Sequence, residues 1–315
     1  MSGGLDIAAL SGRVDNAPSL ADGPPRHGTP NSRELLRKER EIVSKYVGGG
    51  VFVYPAFAIG GFAVWIALFP LAIAGTIPLW LGGIISTILA TGGYVTSHEA
   101  MHSNIARRGQ KLRWLNELTG QISTIPILFP FSMARMMHLQ HHYHCNDPVR
   151  DPDYPDAAPN AVMALVKTWL NRQPRYAGSI HHYKRILETL ESDEAARAKR
   201  DTAVLQLGAM LFFFAMAWSG YALVVAAIWW LPRHIALSYI RFYLSWAPHH
   251  PRERQGRYTN TVIFKSKVGR VLSMGMETHL VHHLYPHIPH HRTRAAYLAL
   301  RPILAERGVD VSPLS

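Results

Sequence analysis

Two long stretches without charge dominate the pattern of hydrophobic and polar positions along this 315-residue chain. The first runs from Val51 to Ser97 and contains no Asp, Glu, Lys or Arg. A membrane-spanning helix needs roughly 20 apolar residues, so this stretch has room for two. Pro70 and residues 75–78 (Gly-Thr-Ile-Pro) interrupt it near the middle. The pattern therefore predicts a hairpin of two transmembrane helices.

The second charge-free stretch runs from Ala203 to Pro232, and apolar residues resume after Arg233 as far as Trp246. Ser219 and Gly220 mark a turn within it. We therefore predict an all-α integral membrane protein with about four transmembrane helices in two hairpins. The remaining segments are expected to form a cytoplasmic helical cap.

Two further segments lie between the hairpins. Residues Leu118 to Met137 are apolar but are interrupted by Pro126 and Pro130. This pattern favours an interfacial or re-entrant segment over a membrane span. Residues Tyr183 to Asp201 are charged and amphipathic, and predict one cytoplasmic helix.

Three regions are predicted along the chain. Residues 1–31 are rich in Gly, Pro, Ser and Asp and contain no long apolar core, so we expect a disordered N-terminal tail without a signal peptide. Residues 32–300 are expected to form the membrane domain, and residues 301–315 a C-terminal tail.

The composition and the placement of charge agree with a membrane protein. Hydrophobic residues make up 48% of the chain and charged residues 17%, and the net charge is +12. Basic residues flank the first hairpin, namely Arg33, Arg37, Lys38, Arg40 and Lys45 before it and Arg107, Arg108, Lys111 and Arg113 after it. The positive-inside rule predicts that both termini and the cap face the cytoplasm, as in a bacterial-type inner membrane. No basic face with base-reading residues is evident, which argues against a nucleic-acid partner.

Eight of the eighteen histidines fall into three short clusters with helical spacing. They are His98 and His102; His138, His141 and His142; and His279, His282 and His283. Residues three and four positions apart share a helix face, so each cluster can direct its imidazoles at one point. Scattered surface histidines do not repeat such spacing.

Eight imidazoles are more than one zinc ion binds. The number fits two metal ions held mainly by nitrogen, and imidazole suits iron, zinc and copper. A site rich in histidine, poor in carboxylates and approached through apolar segments favours a non-haem di-iron centre that activates oxygen over a metal hydrolase. Phe129, Phe131, Met133, Met136, Met137 and Trp246 are candidates to line the approach.

The segment after the second cluster contains acids and the only cysteine. Asp151 and Asp153 lie in a Pro/Asp loop and are expected to support a histidine through its other ring nitrogen, or to form solvated turns. Cys145 excludes an intrachain disulfide, since it has no partner cysteine. A thiolate ligand is conceivable, but we predict a reduced bystander.

The three histidine motifs, set between two membrane hairpins, resemble those of the membrane fatty acid desaturase–hydroxylase superfamily over roughly residues 50–295. The resemblance implies that the eight histidines bind two irons and are catalytic. Members often place a further histidine before the third motif; His249 lies 30 residues before His279, and His250 lies 29 before it. It thus implies His249 as a ninth ligand, with His250 as the alternative. The acyl desaturase branch has an asparagine one turn earlier, where this chain has Ser245 and Trp246.

Within the superfamily, the chain is more similar to the β-carotene hydroxylases and ketolases. The shared motifs are His141-His142-Tyr143-His144, Asp151-Pro152-Asp153, Trp246-Ala247-Pro248-His249 and His282-His283-Leu284-Tyr285-Pro286-His287-Ile288-Pro289. The first motif implies a ligand or supporting role for His144. Hydroxylation and ketolation remain alternatives, because both begin with hydroxylation of a ring carbon.

The resemblance implies an oxygen-dependent di-iron oxygenase that hydroxylates the ring of a β-carotene-type carotenoid taken from the bilayer. Carotenoid ketolation and fatty-acyl or lipid desaturation or hydroxylation remain alternatives. Metal transport is disfavoured, since transporters place ligands near the bilayer midplane and the two charge-free stretches contain no histidine.

The reaction needs two electrons, and the sequence shows no module to supply them. No glycine-rich dinucleotide motif follows a strand, and one cysteine does not ligate an iron–sulfur cluster. We expect a separate ferredoxin-type carrier with its reductase. Its docking surface is predicted at Arg107, Arg108, Lys111 and Arg113, although anionic lipid explains these residues equally well.

Overall fold

The computed structural model describes residues 32–173 and 178–314, which form helices joined by turns, with no strand among them. The helices are α1 (Ser32–Ser44), α2 (Val53–Ile73), α3 (Leu79–Met101), α4 (Arg113–Thr124), α5 (Phe131–His144), α6 (Ala161–Leu170), α7 (Gly178–Thr189), α8 (Asp193–Trp218), α9 (Ala222–Trp246), α10 (Gly269–Leu272), α11 (His279–Leu284) and α12 (Thr293–Glu306). The predicted N-terminal tail, residues 1–31, lies outside the described residues.

Four helices are long and apolar enough to cross a membrane: α2, α3, α8 and α9. They follow one another along the chain as two hairpins, and their number is the predicted four. The first turn contains Gly75 at φ +70°, and the second contains Gly220 at φ +84°. Glycine adopts this left-handed conformation without the steric penalty that a Cβ brings. Helix α9 includes two π-helical turns, Ala226–Trp230 and Arg241–Trp246.

The two hairpins pack together through aromatic rings and small residues. The rings of Trp65 and Trp229 meet edge to face at a centroid distance of 4.9 Å. Trp65 Nε1 donates to Ser86 Oγ at 3.1 Å, and Ser86 donates in turn to the carbonyl of Ile228 at 2.5 Å. A Cβ at Gly83 would lie 2.9 Å from the carbonyl oxygen of Ala227, so glycine permits this close approach. These contacts fix α3, which carries the first histidine cluster at its end.

The segment from Leu118 to Met137 contains no helix long and apolar enough to cross a membrane. It contains the end of α4, a 3-10 turn at Ile125–Ile127 and the start of α5. Trp229 Nε1 donates to the carbonyl of Pro126, and Arg233 Nε donates to that of Ile127, both at 3.0 Å. The turn thus lies beside the middle of α9, an arrangement that fits the re-entrant alternative of the prediction.

The prediction of one helix from Tyr183 to Asp201 is wrong. Helix α7 ends at Thr189, and α8 begins at Asp193 and continues into the third span. Ser192 separates them because its side chain accepts a hydrogen bond from the backbone nitrogen of Ala195 and so caps α8.

The predicted boundary at residue 300 falls inside α12, so residues 301–314 belong to the folded domain rather than to a tail. Leu300 and Leu304 are fully buried. Beyond the helix, Arg307 Nε donates to the buried Glu39 of α1 at 2.9 Å. The apolar face of α12 therefore continues past the predicted boundary and packs against α1.

Glu39 joins both ends of the described chain, because Tyr258, Tyr285 and Arg307 all donate to its carboxylate.

Glu39→Gln should lower the free energy of unfolding by about 3 kcal/mol, since a buried ion pair loses one charge. Glu41→Gln is the matched control on the same helix. Its exposed pair with Arg37 is expected to contribute less than about 1 kcal/mol. Equal unfolding free energies for the two variants in detergent would contradict this role of Glu39.

Candidate metal centre

The eight histidines of the three clusters meet in one place. The end of α3 supplies His98, and His102 directly follows the helix; α5 supplies the second cluster and α11 the third. The ring centroids of His98 and His282 are 4.3 Å apart, and those of His142 and His283 are 4.1 Å apart. Side chains separated by up to 185 residues in the sequence thus form one cluster.

Two groups of ligand atoms can be distinguished within the cluster. The first consists of His98, His102, His138, His142 and His282, whose ligand atoms all lie within 4.8 Å of one another. Nε2 of His138 is 2.7 Å from Nε2 of His102 and 3.1 Å from Nε2 of His142. Nitrogens this close are directed at a common point.

The second group consists of His141, Cys145, His249 and His283, again with ligand atoms within 4.8 Å of one another. His141 Nε2 and His249 Nε2 are 3.2 Å apart. His279 belongs to neither group but lies between them, with its ring centroid 5.1 Å from that of His282 and 4.7 Å from that of His283. The cluster therefore contains two adjacent places for a metal ion.

The structure places His249, and not His250, in this cluster. His249 is buried, whereas the ring of His250 is half-buried and lies against Trp246 at a centroid distance of 4.8 Å. His144 is in neither ligand group; its ring contacts that of Tyr143. Of the three additional histidines, only His249 is positioned to bind a metal.

The residues present fit metal ions by two observations. Both ring nitrogens of His98 and Nε2 of His283 are buried without a hydrogen-bond partner in the described structure. Such atoms are costly to bury unless a cation binds them. Burial also holds the pKa values of His102, His138 and His283 well below the usual range for histidine. These imidazoles are therefore neutral, which is the form that binds metals.

Asp151 orients one of these histidines. Its fully buried carboxylate lies 2.8 Å from His141 Nδ1 and also accepts from the backbone nitrogens of Asn146 and Asp153. Burial disfavours both charges, but the mutual attraction of the pair outweighs it, raising the pKa of His141 and lowering that of Asp151. Nδ1 of His141 thus faces the acid, and Nε2 faces the metal centre. This contact is the one expected of a supporting carboxylate, and the role of Asp151 stays a prediction.

Asp153 pairs with an arginine and not with a histidine. Its carboxylate forms an ion pair with Arg241 at 3.2 Å, and Arg241 also contacts Asp156 at 2.8 Å. Among the described contacts, Asp153 has no hydrogen bond to an imidazole, so the prediction that it supports a histidine is wrong.

Several supporting contacts were not identified from the sequence. Cys145 contacts a histidine of the second group and is not a bystander, because its Sγ lies 3.3 Å from His249 Nδ1. Burial raises the pKa of this thiol well above its usual range, so it stays protonated. His182 Nε2 lies 2.8 Å from the carbonyl of Asp151, and the buried Arg252 bonds to Ser245. No spacing pattern marks these residues, since each comes from a separate segment.

Two cavities approach the histidines. A small cavity of ≈ 40 Å³ lies against His98, His138, His141 and His279. A larger one of ≈ 600 Å³ lies beside it. Both are lined by Phe129, Tyr183, Leu237 and Arg241, so these four side chains separate the larger space from the metal centre. Phe129 and Met133, two of the predicted lining residues, contact the larger cavity.

Comparison with known proteins gives one matching family model and several relatives. The family model described as fatty acid desaturase matches residues 74–314. The chain is 25% identical over 263 residues to the sn-1 oleoyl-lipid 12-desaturase of Anabaena variabilis, covering 76% of this chain and 73% of the relative. It is 23% identical to the sn-1 acyl-lipid omega-3 desaturase (ferredoxin) of Nostoc sp., covering 68% and 64%. It is also 38% identical over 80 residues to β-carotene 4-ketolase 3 of Haematococcus lacustris, covering 25% of this chain and 24% of the relative.

Alanine at His102, His142 or His283 should abolish metal binding, because each substitution removes a nitrogen from a ligand group. His250→Ala is the matched control, since that ring stacks on Trp246 outside both groups. Elemental analysis of the purified variants tests this directly. Wild-type metal content in any of the three cluster variants would contradict the ligand assignment.

Proposed function

The chain belongs to the fatty acid desaturase family, and from this premise we propose that it is an oxygen-dependent di-iron oxygenase that hydroxylates the ring of a β-carotene-type carotenoid. Membership of the family makes it a membrane oxidoreductase. The metal, the substrate and the electron donor are parts of the proposal.

One observation carries the carotenoid assignment. Two of the motifs shared with carotenoid-modifying oxygenases contribute directly to the metal centre. Asp151 comes from the Asp-Pro-Asp motif and holds Nδ1 of His141 at 2.8 Å. His249 comes from the Trp-Ala-Pro-His motif and meets Nε2 of the same His141 at 3.2 Å. Ser245 stands where the acyl desaturase branch has an asparagine, and it binds Arg252 instead.

The ligand chemistry supports iron. The first group offers five imidazoles, and the second offers three imidazoles and a protonated thiol. A set of neutral imidazoles suits redox-active iron, whereas zinc takes fewer protein ligands. When bound, a pair of irons would supply the electron-transfer chemistry that activates O₂. His279 lies between the groups and is the remaining ligand candidate.

The overall reaction balances with an external reductant. A ring C–H group, O₂, two electrons and two protons give the C–OH product and one water. One oxygen atom enters the C–H bond, and the other leaves as water. The two electrons therefore come from a donor that the chain does not contain.

The protein positions the substrate and excludes water. The larger cavity is lined by apolar side chains such as Phe129, Met133 and Leu237, which suit an isoprenoid or acyl chain. The small cavity reaches the histidines and has room for little more than the reacting group. Asp151 and Cys145 contact the Nδ1 atoms of His141 and His249, so the ring orientations are set before the substrate arrives.

Acyl-lipid desaturation is the second candidate. It is favoured by the length of the match to the Anabaena variabilis desaturase, which covers 76% of this chain, whereas the ketolase match covers 25%. Both reactions use the same histidines and differ in the substrate whose reacting carbon enters the small cavity. Carotenoid ketolation is repeated oxidation of the same ring carbon and shares the proposed centre.

We also propose that the metal centre and both termini face the cytoplasm, where a ferredoxin-type carrier docks. Arg107, Arg108 and Lys111 are exposed and lie shortly after His102. Arg113 contributes less, because it pairs with Glu117. The relative from Nostoc is named for its ferredoxin, which supports this class of donor.

Expression in a host that accumulates β-carotene tests the substrate. Hydroxylated pigments should appear on chromatography, while the host fatty acids stay unchanged. The His142→Ala variant is the control, since it removes a proposed ligand and should leave both pigments and lipids unaltered. Altered fatty acids with unchanged carotenoids would favour the acyl-lipid reaction instead.

The electron donor is tested with the purified enzyme. NAD(P)H alone should give no turnover, and ferredoxin with its reductase should restore it. Turnover should fall as salt rises, because screening weakens docking between an acidic carrier and the exposed basic residues. Turnover with NAD(P)H and no carrier would contradict the proposed donor.

A further inference from the structure

The larger cavity has a cationic wall that the proposed reaction does not use. Arg172, Lys199 and Arg233 line it. Within the described residues, the guanidinium of Arg172 donates to the carbonyl of His234 and the hydroxyl of Ser238 and lies 5.8 Å from the centre of the Trp169 ring. That of Arg233 contacts a carbonyl and an imidazole. Neither arginine therefore has a carboxylate partner in this part of the structure.

The acids of the cavity do not balance this charge. Asp156 is paired with Arg241 at 2.8 Å, and Glu188 is paired with Lys184 at 3.9 Å. The cavity therefore keeps an excess of positive charge in a largely apolar space. An uncompensated charge in such a place is unfavourable unless an anion binds beside it.

Two of the cations lie on the membrane helices α8 and α9, on either side of the charge-free stretch. Arg233 directly follows the charge-free stretch that ends at Pro232, and Lys199 lies just before the start of the same stretch. Trp169 and Trp230 flank the site and are 44% and 46% exposed. Both tryptophans therefore offer an amphipathic surface beside the basic groups.

Helix α6 adds exposed apolar side chains to the surface around the larger cavity. Its exposed apolar side chains include Val162, Leu165 and Val166. Arg172 follows this helix closely and lies against α9 through Ser238, at 2.7 Å. An amphiphile at this site would therefore have apolar helix surface beside its chains and basic groups beside its head.

Part of the Arg172 guanidinium has no hydrogen-bond partner among the described residues. Its Nη2 donates to His234 and Ser238, whereas its Nε and Nη1 are buried without a partner in the described structure. The planar guanidinium edge matches two oxygens of a phosphate. Basic pockets between membrane helices bind anionic lipid headgroups in the same way.

We propose that this cavity binds the phosphate headgroup of an anionic phospholipid from the leaflet that adjoins the helical cap. Arg172 and Arg233 bind the phosphate, and Lys199 adds a third positive charge. This lipid is distinct from the substrate of the proposed reaction, and its binding requires no metal. Because the site shares Leu237 and Arg241 with the approach to the histidines, the lipid forms part of the wall along which a substrate enters.

Thermal unfolding of the full-length protein in neutral detergent tests the proposal. Dioleoylphosphatidylglycerol should raise the unfolding midpoint more than dioleoylphosphatidylcholine does, because the protein binds the anionic lipid more tightly when folded. In the Arg172→Gln/Arg233→Gln variant, the apparent affinity for phosphatidylglycerol should fall about tenfold or more. Arg254→Gln/Lys265→Gln is the matched control: it removes two charges at exposed positions outside the cavity and should leave the affinity unchanged.

Two further measurements keep the test independent of folding and of catalysis. The Arg172→Lys/Arg233→Lys variant keeps both charges and should retain the preference for phosphatidylglycerol. The metal-free His142→Ala variant should bind the lipid as the wild type does, so failure of the oxygenase proposal leaves this one standing. Equal stabilisation of the wild type by the two lipids, or undiminished phosphatidylglycerol binding in the Gln variant, would overturn the proposal.

Discussion

The structure depends on the convergence of buried, neutral imidazoles on two adjacent points. Nitrogens such as Nε2 of His102 and His138 are only 2.7 Å apart, and burial lowers the pKa of both rings. Protonating such rings would place like charges together without solvent, whereas the neutral rings are in the form that binds metal cations. The membrane hairpins and the cap hold the histidine side chains this close together, although charged rings at these distances would repel one another.

The supporting contacts explain why distant parts of the chain contribute to this centre. Asp151 holds His141, and Cys145 with the carbonyl of Asn260 holds His249, so each of these rings presents Nε2 inward. Farther out, Glu39 bonds to Tyr285, two residues beyond His283. The packing of α1 and α12 is thereby connected to the third histidine cluster. Stability of the outer helices and geometry of the centre are expected to be linked through this short segment.

The sequence predicted the spans and the histidine cluster because both rest on local patterns. The charge-free stretches define the hairpins, and the i, i+3 and i+4 spacing places the imidazoles of each cluster on one face. It did not predict the end of the folded domain, because Leu304 packs against helices far away in sequence. Nor did it predict the contact of Cys145 with His249 or the ion pair of Asp153 with Arg241, since each joins segments that only the tertiary fold brings together.

The central claim is that this cluster holds two irons through nitrogen ligands, and X-ray absorption at the iron edge tests it most directly. The account predicts two irons per chain, a coordination sphere dominated by imidazole nitrogen and no Fe–S scattering, because Cys145 Sγ contacts Nδ1 of His249, the ring nitrogen that faces away from His141. A single bound metal per chain, zinc in place of iron in protein produced with iron in excess, or a short Fe–S distance would contradict it.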